Sequence, residues 1–168
     1  MNKENKKCIA LFVGIVLLGS CLSKNEKIQN PCECEFMSIA AIVQLVVGRA
    51  LPKDDVAALF KTAATVKAVE KHGKSSPMID PVTYKVNDRA ILSQFIFTYM
   101  GWNDVWLDFQ QAKSTENLVA YLGEYKNTQG EIHYAIYNTG KQCIWMYHPD
   151  DFGIEPQKLI PVYVRSKK

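Results

Sequence analysis

Two residues that could form a nucleophile–base pair lie where a helix and a strand are expected to begin. Cys34 immediately precedes an apolar run with helical spacing. A thiol at a helix N-terminus has a lowered pKa, because the unpaired N–H groups favour the thiolate. The chain has three histidines, and His133 begins the strand-like segment His133–Tyr137. A cysteine at the head of a helix and a histidine on a later strand predict an activated Cys–His pair. The alternative is a buried structural thiol and a core histidine.

The remaining cysteines bear on redox and metal chemistry. Of the five, Cys8 and Cys21 fall in the N-terminal segment treated below, so Cys32, Cys34 and Cys143 remain. An odd number permits one disulfide and a remaining thiol, or three reduced thiols. Cys32 and Cys34 form a C-x-C, and no second cysteine pair or closely spaced histidine pair completes a tetrahedral zinc site. We predict no metal and no organic cofactor.

The N-terminus has the pattern of an exported, lipid-anchored protein. Residues 1–7 are basic, and residues 8–19 form an apolar run too short to span about 30 Å of hydrocarbon. The run leads into Leu18-Gly19-Ser20-Cys21, which resembles a bacterial lipobox, where the cysteine is acylated and becomes the new N-terminus. We predict a signal peptide over residues 1–20, a lipidated Cys21 with a tether to residue 30, and one domain over residues 31–168. A plain signal peptide or an uncleaved anchor is the alternative.

Composition and charge exclude several classes of protein. The chain of 168 residues is 48% hydrophobic and 22% charged, which excludes intrinsic disorder, collagen and a coiled coil. The net charge is +3, of which Lys3, Lys6 and Lys7 against Glu4 supply +2. The mature chain therefore lacks the basic surface of a nucleic-acid-binding protein.

The elements expected to position these residues are helices first and strands later. Apolar spacing predicts helices over Glu35–Val47, from Pro52 to about Glu70, and over Arg89–Met100, with a loop over 71–77. Short β-branched and aromatic segments then predict strands separated by turns. The predicted strands are Val105–Phe109, Leu118–Tyr125, Ile132–Tyr137, Cys143–Tyr147 and Leu159–Arg165, with 114–118 as a strand-to-helix transition or a turn. This order predicts an α+β fold with helices packed on an antiparallel sheet.

A third residue is needed to orient the imidazole of His133. A two-residue turn at Thr139-Gly140 would set His133 opposite Met146, which leaves His148 within diagonal reach on the same face. We therefore predict His148 in this role, with Asp150 or Asp151 of the following turn as the acidic alternatives.

Two short blocks resemble a known family. Pro31–Ile39 resembles the nucleophile block of small papain-like cysteine peptidase domains, most closely that of papain-like domains of unassigned function from spirochaetes. Their block reads Gly-Cys-Tyr-Phe-Met-Ser, and Cys34–Ser38 differs from it, counting from the cysteine, only where they have Tyr. His133–Tyr137 resembles the histidine strand of the same superfamily. The resemblance implies a papain-like fold in which the central helix starts at Cys34.

The resemblance also implies further roles and exposes two departures. Relatives take an oxyanion donor from a polar side chain shortly before the cysteine, which points to Gln29. Glu33 replaces the glycine before the nucleophile, and its charge would raise the thiol pKa if it points inward. His148 stands where relatives have an aspartate, although some related cell-wall peptidases use Cys-His-His.

Together these patterns predict a thiol-dependent hydrolase, a cysteine peptidase or amidase, anchored to a bacterial envelope through acylated Cys21. Its substrate would be a peptide or a peptidoglycan stem, and no nucleic-acid partner is expected. The alternative is a non-catalytic surface lipoprotein that uses the same fold to bind an envelope or host ligand. Glu33 and the missing aspartate favour this alternative.

Overall fold

The computed structural model describes residues 33–167, which begin with helices as predicted. The helices are α1 (Glu33–Val47), α2 (Lys53–Ala63) and α3 (Arg89–Tyr99). α1 begins two residues before the predicted start, so Cys34 lies within its first turn. The Asp88 side chain caps α3 by accepting the backbone N–H of Ile91 at 3.0 Å.

The predicted extension of the second helix to about Glu70 is wrong. α2 ends at Ala63, and Lys67–Lys71 forms strand β1, which pairs with β2 (Lys74–Pro77) in a hairpin. Positive φ angles at His72 (51°) and Gly73 (72°) suit the two-residue turn between them. Only Val69 of β1 is buried, so a continued helix would have had no apolar stripe to pack.

The C-terminal half forms a five-stranded antiparallel sheet in the order β3-β7-β4-β5-β6. Its strands match the predicted segments to within one residue. They are β3 (Val105–Asp108), β4 (Leu118–Lys126), β5 (Ile132–Tyr137), β6 (Cys143–Met146) and β7 (Lys158–Ser166). The segment 114–118 is a turn that leads into β4, and a short 3₁₀ helix (Pro149–Asp151) follows β6.

The helices and the large sheet share one apolar core. α1 packs against α3, β5 and β4, and α3 packs against β3. The largest fully buried aliphatic side chains of this core include Ile39, Ile42, Leu92, Ile96, Leu122 and Ile136. The chain is therefore α+β, with helices packed on antiparallel sheet, as predicted. None of the helices in residues 33–167 has the length and apolar content of a membrane span.

The turn between β5 and β6 differs from the predicted two-residue turn at Thr139-Gly140. The N–H of Asn138 donates to the carbonyl of Gln142 at 2.9 Å, which makes the loop three residues long. Lys141 takes the left-handed position of this loop, with φ of 62°. The Asn138 side chain accepts the N–H of Gln142 and stabilises the turn.

A second irregularity in this hairpin changes the neighbours of His133. Ile144 is an extra residue in β6, because its neighbours on either side pair with consecutive residues of β5. As a result Met146 pairs with Ala135, and the prediction that it lies opposite His133 is wrong. Each irregularity moves the register by one residue. Together they bring His148 from a diagonal position to one beside His133.

Candidate functional site

Cys34 is the second residue of α1 and its side chain is completely buried. α1 packs on the sheet and contacts β5, the strand that bears His133. Burial is the main reason that the pKa values of Tyr125, Tyr134 and Tyr147 are raised, and negative charge on Cys34 contributes to each. The Cys34 sulfur therefore lies within electrostatic range of these three hydroxyl groups. Within residues 33–167, no disulfide is formed.

His133 is buried between two carboxylates. Only 4% of the residue is exposed, and it pairs across the strands with Tyr125 of β4. Its Nδ1 lies 3.2 Å from Oδ2 of Asp151, and its Nε2 lies 3.6 Å from Oε2 of Glu131. Neither ring nitrogen makes a hydrogen bond within the described residues. The imidazole therefore has a carboxylate beside each nitrogen.

Asp151 ends the short 3₁₀ helix that follows β6. The turn is closed by the N–H of Asp151, which donates to the carbonyl of His148 at 3.1 Å, and Pro149 opens it. Besides facing His133, Oδ2 of Asp151 accepts the hydroxyl of Tyr125 at 3.0 Å. The adjacent Asp150 is exposed. Of the acidic alternatives for orienting His133, it is Asp151 whose carboxylate contacts the ring.

His148 contacts His133 through its ring face. The ring centroids are 4.3 Å apart with a 39° tilt. Nε2 of His148 is buried and makes no hydrogen bond within residues 33–167. Burial, and then the nearby His133, lower the pKa of His148, which favours its neutral form. His148 thus packs against the His133 ring at a tilt, without the ring-to-ring hydrogen bond that orientation would require.

Glu33 points inward at the start of α1. Only 8% of the residue is exposed, and burial raises the pKa of its carboxyl group to about 6, although a hydrogen bond from Tyr147 opposes this rise. The pKa of Tyr147 is raised to about 12, first by burial and then by the charge of Glu33. Ionisation of this carboxyl group beside Cys34 therefore costs free energy near neutral pH.

The structure groups some of the predicted site residues and not others. His133, His148 and Asp151 form one cluster, and Cys34 lies on the helix that packs against β5. Gln29, together with Cys21 and Cys32, lies outside the described residues. Within residues 33–167, no three His, Cys, Asp or Glu side chains are grouped closely enough to hold a metal ion.

Tyr125 and Glu131 are the site residues that sequence reasoning missed. Both are set by the loop between β4 and β5, where the N–H of Asn127 donates to the carbonyl of Glu131. Gly130 has φ of 82°, the left-handed position of a three-residue loop. The sequence signal for this loop was Asn127-x-x-Gly130, which is compatible with a loop of three residues. A loop of that length pairs Tyr125 with His133.

Comparison with known proteins gives no independent guide to this site. No family model matches the chain, and no curated protein and no solved structure matches it.

Proposed function

We propose that this protein is a thiol-dependent hydrolase that cleaves an amide bond in a peptide or a peptidoglycan stem. The observation that carries the proposal is the 3.2 Å contact between His133 Nδ1 and Asp151 Oδ2 in a buried site. His133 lies on β5, and α1, the helix that carries Cys34, packs against this strand. Asp151 is the closer of the two carboxylates beside the ring, at 3.2 Å from Nδ1 against 3.6 Å between Glu131 and Nε2. A proton held on Nδ1 by Asp151 would leave Nε2 as the base.

The proposed reaction assigns one role to each residue. Nε2 of His133 takes the thiol proton of Cys34, and the thiolate sulfur forms a bond to the substrate carbonyl carbon. The carbon–nitrogen bond then breaks as the imidazolium returns that proton to the leaving amine. Water, deprotonated by His133, hydrolyses the thioester and restores the thiol. Asp151 holds the Nδ1 proton and stabilises the imidazolium.

The finer features of the fold and its location belong to the same proposal. We propose a papain-like arrangement, supported by a buried cysteine in the first turn of a helix that packs on an antiparallel sheet bearing the histidine. The residues preceding the domain would anchor it to a bacterial envelope through acylated Cys21. Gln29 would supply an oxyanion donor. Such an enzyme would act on substrates outside the cytoplasm, with the lipid membrane as its other partner.

A direct test is the ionisation of the Cys34 thiol in the full chain in detergent. The ultraviolet absorbance of the thiolate is titrated, and the Cys34→Ser titration is subtracted to remove the other cysteines. We expect an apparent pKa well below about 8.5, because a histidine partner stabilises the thiolate. His133→Gln should return the pKa towards or above that value. A wild-type thiol that titrates at or above it would refute the Cys–His pair.

Variants of Asp151, Asp150 and His148 distinguish which of these residues orients His133. Asp151→Asn should raise the thiol pKa, whereas Asp150→Asn is the matched control and should leave it unchanged, because Asp150 is exposed and makes no contact with His133 among the described residues. His148→Gln should have a smaller effect than Asp151→Asn, since His148 stacks on the imidazole. A larger effect of His148→Gln would assign orientation to His148 instead.

The second candidate function is a non-catalytic lipoprotein that binds an envelope or host ligand. Two observations favour it: Cys34 is completely buried, and the carboxyl group of Glu33 lies buried in the same helical turn. Both features oppose formation of a thiolate. An unperturbed or raised thiol pKa in the titration above would favour this function over hydrolysis.

A further inference from the structure

The hydroxyl group of Tyr125 reaches the oxygen that faces the candidate base. Tyr125 lies on β4, is completely buried, and donates a hydrogen bond to Oδ2 of Asp151 at 3.0 Å. The same oxygen lies 3.2 Å from Nδ1 of His133. The phenol and the imidazole therefore share one carboxylate oxygen.

Tyr125 also contacts His133 directly. The two residues are cross-strand partners, and the edge-to-face contact between their rings has a centroid distance of 5.7 Å and an angle of 67°. Burial is the largest cause of the raised pKa of Tyr125, so its hydroxyl remains protonated and keeps its hydrogen to donate. One rigid side chain thus constrains both the histidine and the aspartate.

Asp151 depends on this contact because its own segment offers little support. The segment is a short 3₁₀ helix between two strands, and the next residue, Phe152, is 76% exposed. Among residues 33–167, the hydroxyl of Tyr125 is the only hydrogen-bond donor to the Asp151 carboxylate. Without it, the 3.2 Å contact with Nδ1 of His133 would be left to hold the carboxylate in place.

We infer that Tyr125 is a positioning residue, which fixes Asp151 against Nδ1 of His133 through its hydroxyl and fixes the imidazole plane through its ring. The inference rests on the proposed function, because the consequence of this positioning is the tautomer and basicity of His133. It assigns the hydroxyl a role that apolar packing of the ring does not require.

The test compares two conservative variants on the full chain in detergent. Tyr125→Phe keeps the ring and removes the hydroxyl. Tyr137→Phe is the matched control, because Tyr137 is also buried in the same small cluster and its hydroxyl makes no side-chain hydrogen bond among the described residues. The readouts are the pH titration of the Cys34 thiolate and the ¹⁵N chemical shifts that report the His133 tautomer. A melting curve for each variant verifies that it is folded.

We expect Tyr125→Phe to raise the thiol pKa and to shift His133 away from its Nδ1–H tautomer. The thiol ionisation constant read from the titration should fall about three- to tenfold, the worth of one hydrogen bond. Tyr137→Phe should change neither readout. If the wild-type thiol pKa is lowered but both variants match it, the positioning role is refuted while the proposed function stands. If the wild-type thiol pKa is not lowered, the proposed function and the positioning role are both refuted.

Discussion

At the scale of single residues, Glu33 is the side chain whose environment conflicts most with its charge. Its carboxyl group is buried at the start of α1 and is hydrogen-bonded by Tyr147. The helix N-terminus favours its negative charge, but burial disfavours it more strongly, and the net result is a pKa raised from 4.5 to about 6. A folded-state pKa above the unfolded one makes the free energy of unfolding depend on pH.

The sign of that dependence gives a prediction. Below about pH 4.5 the Glu33 carboxyl group is protonated in both the folded and the unfolded state, and its contribution to stability is fully present. As the pH rises through about 6, this buried group must ionise in the folded state, so the free energy of unfolding falls. Glu33→Gln should remove this loss and stabilise the protein at pH 7 by about 1–2 kcal/mol. Urea unfolding of both proteins at several pH values measures the difference.

The control for Glu33→Gln is Glu116→Gln, which neutralises an exposed carboxylate and should change stability little at any pH. A gain from Glu33→Gln that is equal at pH 4 and pH 7 would contradict the raised pKa. The same variant should lower the thiol pKa of Cys34, since it removes a neighbouring negative charge.

Residue types alone pointed to Cys34 and His133, because thiols and imidazoles are few and each stood at the start of an element. They could not distinguish Asp151 from His148. That choice depended on two one-residue shifts within the β5–β6 hairpin, which moved His148 onto the ring face of His133. Neither Lys141 in a left-handed conformation nor an extra residue at Ile144 has a clear sequence signal, since glycine is the usual residue at the former position.

At the scale of elements, the centre of β4 depends on a glycine. Gly123 pairs with Ala135 of β5, and the ring of Tyr137 lies across it. A Cβ at this position would lie 2.2 Å from Cε2 of Tyr137 and 2.7 Å from its Cδ2. Gly123→Ala should therefore force the buried ring to move and cost about 1–3 kcal/mol of stability, measured by chemical denaturation.

Gly140→Ala is the control for that substitution. A Cβ there would meet only Oδ1 of Asn138 at 3.3 Å, so the effect on stability should stay within about 1 kcal/mol. If the clash with the ring is the cause, Gly123→Ala should cost less in a Tyr137→Ala background. Equal costs in both backgrounds would mean that the ring is not responsible.

Secondary structure could be predicted where short β-branched and aromatic segments are separated by turn sequences. The strands of the large sheet have this pattern, and their bounds agree with it to within one residue. The segment after Ala63 could not be placed in the same way, because Lys67–Lys71 buries a single side chain, Val69. There the two-residue turn at His72-Gly73 favours a hairpin, and the helical prediction did not take this turn into account.

At the scale of the whole molecule, the order of elements predicted the α+β layout but not the order of strands. The last strand, β7, lies between β3 and β4: residues 163–166 pair with β3, and residues 158–163 pair with β4. Which strands pair over such distances is set by packing of the complete core, and alternation within one strand carries no information about its partner. The short blocks at Cys34 and His133 likewise indicated an arrangement without specifying the contacts around it.

Anchoring is a property of the whole chain, and we propose it from Leu18-Gly19-Ser20-Cys21. Cys21→Ala should abolish acylation and move the protein out of the membrane fraction, because stable attachment needs more than one acyl chain and this cysteine would carry them all. Detergent phase partitioning and labelling with a fatty-acid analogue measure both effects. Cys32→Ala removes a nearby thiol and should leave both unchanged. Membrane association of Cys21→Ala equal to that of the unaltered chain would show that an uncleaved apolar segment, and not lipid, holds the protein.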